Sequence, residues 1–383
     1  MVSEPLTTGM HRLEIEGWER ALLAPYRLTS LMRHRLDRFL KNIFTQWIRL
    51  AFDAPNTWFR GFFLGATMAL WRWSHFFLRQ LELDVYLMQG KSTIGEGGIR
   101  VVYVGDKLRY RYLISRLFVN GEATQDGHWR VPFWQLAGLG EALGSLRADL
   151  VIFELPEVVQ KVYKGKIDAE SPDSLQMIFA FQPGEDEEQI VRRMKSQKEA
   201  FRRFRKAGYR IVEGDSARDF NFFYERMHVP YIKRRHGGYA DIGSPDVMYQ
   251  LCKQARLRFV CLPDGTRIAG TLSMMSRKVY HWLFIGILDG DWNHVRNGAA
   301  GFMYYQEILS AYREGARLFD GGEAMPFEGD GVFRHKHSWG LEPIENPWHT
   351  NHLFFWTPNG SKVARQWLVT YRPIAKVRPA HIC

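Results

Sequence analysis

Apolar residues recur at helical spacing along the first part of the chain. Between Arg27 and Arg49, Leu28, Leu31, Met32, Leu36, Leu40 and Ile43 share one helical face, and Arg33, Arg38 and Lys41 lie on the other. A second helical stretch, Trp58 to Leu81, has its longest uncharged run from Gly61 to Trp71, short of the roughly 20 residues a spanning helix requires. From Ile99 the period shortens. The segments IRVVYVG, RYRYLISRLFV, DLVIFEL and SLQMIFAF read as strands, with LAGLGEALGSLRA as an intervening helix.

A long basic helix is predicted from Glu185 to Lys206. Ile190, Met194, Phe201 and Phe204 occupy one face, and Arg192, Arg193, Lys195, Lys198, Arg202, Arg203, Arg205 and Lys206 surround the remainder, with Gly208 as the stop. Helices around Ala217–Arg235 and Pro245–Gln254 follow, then the strands LRFVCLP, RIAGTLSMMS and VYHWLFIGI. Turn residues punctuate them at Pro263-Asp264-Gly265 and Arg277-Lys278. Next come RNGAAG, the helix FMYYQEILSAYREG with Gly315 as its stop, and the strand ARLFDGG.

Composition narrows the class. Of the 383 residues, 46% are hydrophobic and 14% aromatic, which excludes a disordered chain and allows two or three cored units. Cys252, Cys261 and Cys383 form no CxxC pair, so neither a disulfide framework nor a structural zinc site is expected, and a reducing compartment fits. The formal net charge of +11 favours acidic partners: anionic lipid, phosphorylated cofactors or RNA. No basic segment followed by an apolar run and a cleavage site opens the sequence, so no secretory signal is predicted. Arg-dotted amphipathic helices bearing Trp and Phe suit an interfacial membrane anchor, or a helical domain packed on the rest of the chain.

The Gly/Ala-rich turn is the first candidate for chemistry. Backbone N–H groups at a helix N-terminus, uncrowded by small side chains, bind phosphate or pyrophosphate, and Arg296, Asn297, Gly298, Ala299, Ala300 and Gly301 supply that arrangement with a cation. The same glycines also suit tight turning or close helix packing. Glu323, just after FDGG at the carboxyl end of a central strand, suits a general base or an amine-orienting group, or a plain surface carboxylate. Asp320 precedes two glycines and suits an amine-orienting role or a turn cap. Tyr304 opens the helix after the turn, where a phenol can protonate a leaving thiolate or simply pack in a core. His335 and His337, at alternate spacing, would share one face of a strand as a metal pair requires, but no third ligand stands near and no metal is expected.

The order of these pieces resembles the acyl-CoA N-acyltransferase (GNAT) superfamily in its Fem-like, BioF2-like form. The resemblance runs from about Val212 to Pro343 and is carried by RFVCLPDGTRIAGTLSMMS, VYHWLFIGI, the RNGAAG turn with its helix, LFDGGEA and FRHKHSWGLEP. It implies an α/β fold with a mixed α+β sheet, in tandem GNAT-like lobes behind an amphipathic helical region. The expected divisions are 1–94, helical and aromatic-rich; 95–213, a first lobe ending in the basic helix; 214–345, the catalytic lobe; and 346–383, a strand and basic tail. It further implies an N-acyltransferase that moves an acyl group from acyl-CoA to an amine of a polar small-molecule, lipid-linked or sugar-linked acceptor, with Lys336 near the cleft and Arg234, Arg235 and His236 at the acceptor. RNGAAG matches the family's acetyl-CoA turn loosely, which leaves aminoacyl-tRNA open as donor; a non-catalytic, membrane-associated binding protein is the remaining alternative. The expected location is cytoplasmic, peripheral on the inner face of the cell membrane.

Overall fold

The computed structural model describes residues 82–375 apart from 106, 133–142, 144–145, 157–165, 195–197, 238–241 and 347–350. The amphipathic helices expected before residue 82, most of LAGLGEALGSLRA, and Cys383 lie outside the described residues. Among those described, no helix is long and apolar enough to cross a membrane. The chain divides into two units, one of residues 1–168 with 353–367 and one of residues 169–352 with 368–383.

The first unit is built on a mixed sheet. Strands β1 (Glu82–Lys91), β2 (Gly98–Gly105), β3 (Thr124–Pro132) and β4 (Leu150–Pro156) take the order β3-β1-β2-β4, followed by the strand Asn351–Trp356. β1 lies antiparallel to β2 and β3, and β2 parallel to β4. Val85, Leu87, Val102, Val104, Val151 and Phe153 form its core. β1 lies in the stretch expected to be helical, and the expected strand RYRYLISRLFV is instead the helix α1 (Lys107–Leu117). The spacing decides the second case: Leu113, Ile114 and Leu117, all buried, fall at i, i+1 and i+4, one face of a helix and two faces of a strand.

The second unit begins at Ala169, well before the division expected at 213/214. Its elements are β5 (Leu175–Ala180), α2 (Glu187–Arg193), α3 (Lys198–Ala207), β6 (Arg210–Gly214), α4 (Ala217–Phe222), α5 (Val229–His236), α6 (Pro245–Cys252), β7 (Arg256–Cys261), β8 (Arg267–Ser276), β9 (Val279–Ile287), α7 (Trp292–Arg296), α8 (Ala299–Arg313), β10 (Leu318–Ala324), α9 (Gly331–Ser338) and β11 (Glu342–Glu345). The sheet order is β11-β5-β10-β9-β8-β7-β6. β5 is therefore an inner strand of this sheet, antiparallel to both β10 and β11. The expected single basic helix is α2, which ends at Arg193 with Met194 as its cap, and α3; Asp186 starts α2 through a reciprocal capping box with Gln189.

The two turns read from sequence take the conformations their residues allow. Gly265 has φ +89° in the β7–β8 hairpin, and Arg277 and Lys278 have φ +47° and +67°, the left-handed pair that a two-residue hairpin loop requires. One sheet face packs against α8, burying Met303, Ile308, Leu309, Phe319 and Trp339. The other packs Phe220, Phe223, Met227 and Met248 against Leu257, Phe259 and Leu272. A π-helical turn, Phe223–His228, joins α4 to α5 and lies directly on β9. Gly286 makes that approach possible, because a Cβ there would stand 2.7 Å from the backbone nitrogen of His228. Burial holds the His228 imidazole below its ordinary pKa, and its neutral ring donates from Nδ1 to the Ile285 carbonyl at 2.8 Å.

Beneath α8 the sheet buries a polar cluster. Glu307 accepts from Thr271 Oγ1 at 2.7 Å, from Tyr280 Oη at 2.8 Å and from Arg258 at 3.4 Å. Arg258 also donates to Glu314 at 3.1 Å and to the Tyr280 hydroxyl.

Candidate active site

A parting of two strands organises the site. β9 and β10 are parallel neighbours, but their pairing covers only Val279–His281 against Leu318–Asp320. Beyond those positions β9 keeps β8 on its other edge as far as Ile287, and β10 keeps β5 on its other edge as far as Ala324. The facing edges, Trp282–Ile287 and Gly321–Ala324, thus diverge into a wedge with His281 and Asp320 at its apex. A βαβ connection runs its helix antiparallel to both strands, so the N-terminus of α8 lies at the open end of the wedge.

That N-terminus is the Gly/Ala turn. Arg296 ends α7, Asn297 follows, and Gly298, with φ +98°, precedes α8. Arg296 and Asn297 are exposed, whereas Gly298, Ala299 and Ala300 are buried. The burial is by α3: a Cβ on Gly298 would stand 3.3 Å from the Cβ of Arg203, and one on Gly301 would stand 3.6 Å from Ala200 and 3.1 Å from the Trp339 ring. Arg203 and Tyr209 also hold the Arg296 and Asn297 carbonyls, at 3.2 and 3.0 Å. Small residues here therefore let two helices approach, and the α3 cations come with that approach. A groove of about 620 Å³ runs between them, its rim carrying Lys198, Arg202 and Arg205 and its floor Phe201, Phe302 and Tyr305.

Across the wedge stands α9, started by the Asp330 carboxylate, which accepts from the N–H groups of Val332 and Phe333. Lys336 is buried and donates from Nζ to the Glu323 carbonyl at 2.8 Å. Burial pulls its ammonium down to about 8; Asp320, Glu323 and Asp330 oppose the fall and Arg235 adds to it. Tyr304 packs edge-on against Trp282, ring centroids 4.4 Å apart, and stacks on Trp339 at 5.6 Å. Burial raises its phenol, which stays protonated. The buried indole nitrogens of Trp282 and Trp339 have no hydrogen-bond partner, an unusual state for buried donors.

A protein-family model described as an acetyltransferase (GNAT) domain matches residues 191–337, the stretch from α2 to α9. This chain carries a GNAT acetyltransferase domain. Its class of chemistry is N-acyl transfer. Among solved structures, L-PGS from Bacillus licheniformis is similar at 14% identity and a TM-score of 0.33, over 73% of this chain and 83% of that one. FemX is similar at 11% identity and 0.38, over 70% and 83%. A GCN5-related N-acetyltransferase from Sphaerobacter thermophilus is similar at 13% and 0.33, over 67% and 71%. No curated protein matches the sequence.

Within the GNAT domain the residues singled out from sequence do not all converge. Arg296–Gly301 form the turn from α7 into α8 at the open end of the wedge, Tyr304 packs on Trp282 of one facing edge, and Lys336 on α9 donates to the Glu323 carbonyl of the other. Asp320 lies at the apex, where it accepts from His281 Nδ1 and the Gly322 N–H, both at 2.9 Å, and from the Gln176 amide. Glu323 is exposed and accepts from the Ser174 hydroxyl at 3.1 Å. Arg235 bends back to Tyr231 Oη at 2.8 Å, and its charge reaches Tyr304 and Lys336. The charge of Arg234 reaches Asp291, and His236 closes α5. The strand expected through His335 and His337 is the helix α9, so the two rings diverge: His335 meets Tyr304 at 5.0 Å, and His337 lies flat on Phe333 at 5.8 Å. A helical step of two residues turns about 200°, which rules out the shared face a metal pair was expected to need. His281 and Trp282 were missed; only the parallel register of β9 and β10, which no local pattern announces, places His281 at the apex and Trp282 at the first unpaired position beyond it.

Proposed function

We propose that the GNAT domain transfers an acyl group from acyl-CoA to a primary amine on a polar acceptor, lipid- or sugar-linked, with the donor entering the wedge between β9 and β10. The observation that carries this is the parting of the two strands at the N-terminus of α8. An extended thioester arm can pair with the freed strand edges, as added strands do, while its pyrophosphate meets the α8 N–H groups and Arg296. Lys336, with protons left after its bond to the Glu323 carbonyl, serves the developing oxyanion, and the protonated Tyr304 hydroxyl serves the leaving thiolate. The basic amphipathic region before residue 82 serves to bring the enzyme to an anionic membrane surface.

Arg296→Glu should weaken acetyl-CoA binding at least tenfold, about 1.4 kcal/mol, with the melting temperature unchanged because the side chain is exposed. Calorimetric titration of the full chain checks this. The glycines are poor probes of the same idea: an aspartate at 298 would strain a left-handed residue, and one at 301 would strike Trp339. A second reading, aminoacyl-tRNA as donor acting on a cell-wall precursor or phospholipid, draws support from Lys198, Arg202 and Arg205 along the groove beside that turn. It predicts tRNA binding that falls steeply with salt, and no affinity for CoA thioesters.

A further inference from the structure

Acyl transfer to an amine needs a group that removes the amine proton, and the apex of the wedge holds one. At the last paired position of β9 and β10, His281 stands opposite Asp320, and His281 Nδ1 meets Asp320 Oδ2 at 2.9 Å. Their chain neighbours Tyr280 and Phe319 are buried against one another in the core under α8, so His281 and Asp320 project from the opposite sheet face. Asp320 is fixed through its other oxygen by the Gly322 N–H, at 2.9 Å, and by the Gln176 amide. Burial works against its ionisation, but the bonds from His281, Gly322 and Gln176 outweigh it and hold the carboxyl below its ordinary range. An ionised carboxylate at Nδ1 requires a proton there, which leaves the lone pair on Nε2. The His281 side chain is 32% exposed, so solvent and small solutes reach it.

We propose that His281 is the general base of the acyl transfer and that Asp320 is its positioning residue. The inference rests on the reading of the wedge as the donor site. The amine nitrogen forms a bond to the thioester carbonyl carbon, and its proton passes to His281 Nε2. Collapse of the tetrahedral adduct breaks the carbon–sulfur bond, the thiolate leaves with the electron pair and is reprotonated, and the imidazolium returns its proton to solvent.

The test uses the full chain with acetyl-CoA as donor and glycinamide as amine. His281→Gln should bind acetyl-CoA within twofold of the parent and form amide about 10²–10⁴-fold more slowly. Added imidazole should restore turnover to His281→Gly and leave Asp320→Asn unrescued. The double variant of His281→Gln with Asp320→Asn should be no slower than His281→Gln alone, because Asp320 acts through the ring. Turnover by His281→Gln within threefold of the parent overturns the proposal. So does loss of activity that tracks loss of thermal stability without imidazole rescue, and so does a parent that binds acetyl-CoA yet acylates neither amine nor water. A parent that fails to bind acetyl-CoA overturns the donor reading and the base assignment with it.

Discussion

Lys336→Met should cut turnover by about 2–4 kcal/mol of transition-state stabilisation, roughly 30- to 1000-fold, while changing acetyl-CoA affinity little. The same variant has a signature in stability that does not depend on any substrate. In the folded protein the ammonium is held at about 8, against an ordinary value of 10.5, because burial outweighs the nearby carboxylates. Below pH 8 both folded and unfolded chains are protonated, and the folded chain bears the full cost of burying the charge. Between pH 8 and 10.5 the unfolded chain holds more protons than the folded one, so parental stability gains over this window. Lys336→Met lacks that gain. The stability difference, variant minus parent, should therefore fall by about 3 kcal/mol between pH 7 and pH 11. Denaturant titrations at the two pH values measure it, and a constant difference would mean that Lys336 is not buried as a cation. Parental turnover should also decline above about pH 8 as the ammonium loses its proton, a limb that Lys336→Met should lack.

Arg258→Met should destabilise the fold by about 3–5 kcal/mol. Its guanidinium and the Glu307 carboxylate are almost wholly buried beneath α8, and removing one partner strands the other in a medium that solvates it poorly. Glu307 would keep the hydroxyls of Thr271 and Tyr280, which soften but do not replace the lost countercharge. The paired replacement of Arg258 by Met and Glu307 by Leu should recover much of the loss, since an apolar pair of similar volume removes both desolvation costs at once. Chemical denaturation of the parent, both single variants and the double variant gives the coupling directly. Equal and additive losses would contradict a shared buried pair.

The legible parts of this protein were those with a local cause. β7, β8 and β9, their two hairpin turns, the α8 helix after RNGAAG and its stop at Gly315 all fall where alternation, turn residues and helix-ending glycine placed them. The failures came where one residue pattern satisfied two structures. RYRYLISRLFV alternates well enough for a strand, yet its buried positions obey a helix; HKHSW is too short for period alone to decide. Other parts were set by contacts far apart in sequence. β5 joins the catalytic sheet by pairing with residues about 140 positions later, so no composition shift near residue 214 marked the true division. Asp320 was visible as a candidate, but its partner His281 depends on a parallel register, and the buried Arg258–Glu307 pair depends on how α8 crosses the sheet. The basic helix and the Gly/Ala turn were read separately, and the packing of α3 on α8 makes them one surface.

The proposed donor site, the wedge between β9 and β10 with the phosphates at the N-terminus of α8, is open to direct observation. The most direct measurement is a crystal structure of the full chain with a thioether analogue of acetyl-CoA that cannot transfer its acyl group. The pyrophosphate should lie beside Arg296 and the α8 N–H groups, with the acyl carbonyl between the strands beyond His281 and within reach of Lys336. A pyrophosphate bound elsewhere, with the facing edges of β9 and β10 left empty, would contradict this placement.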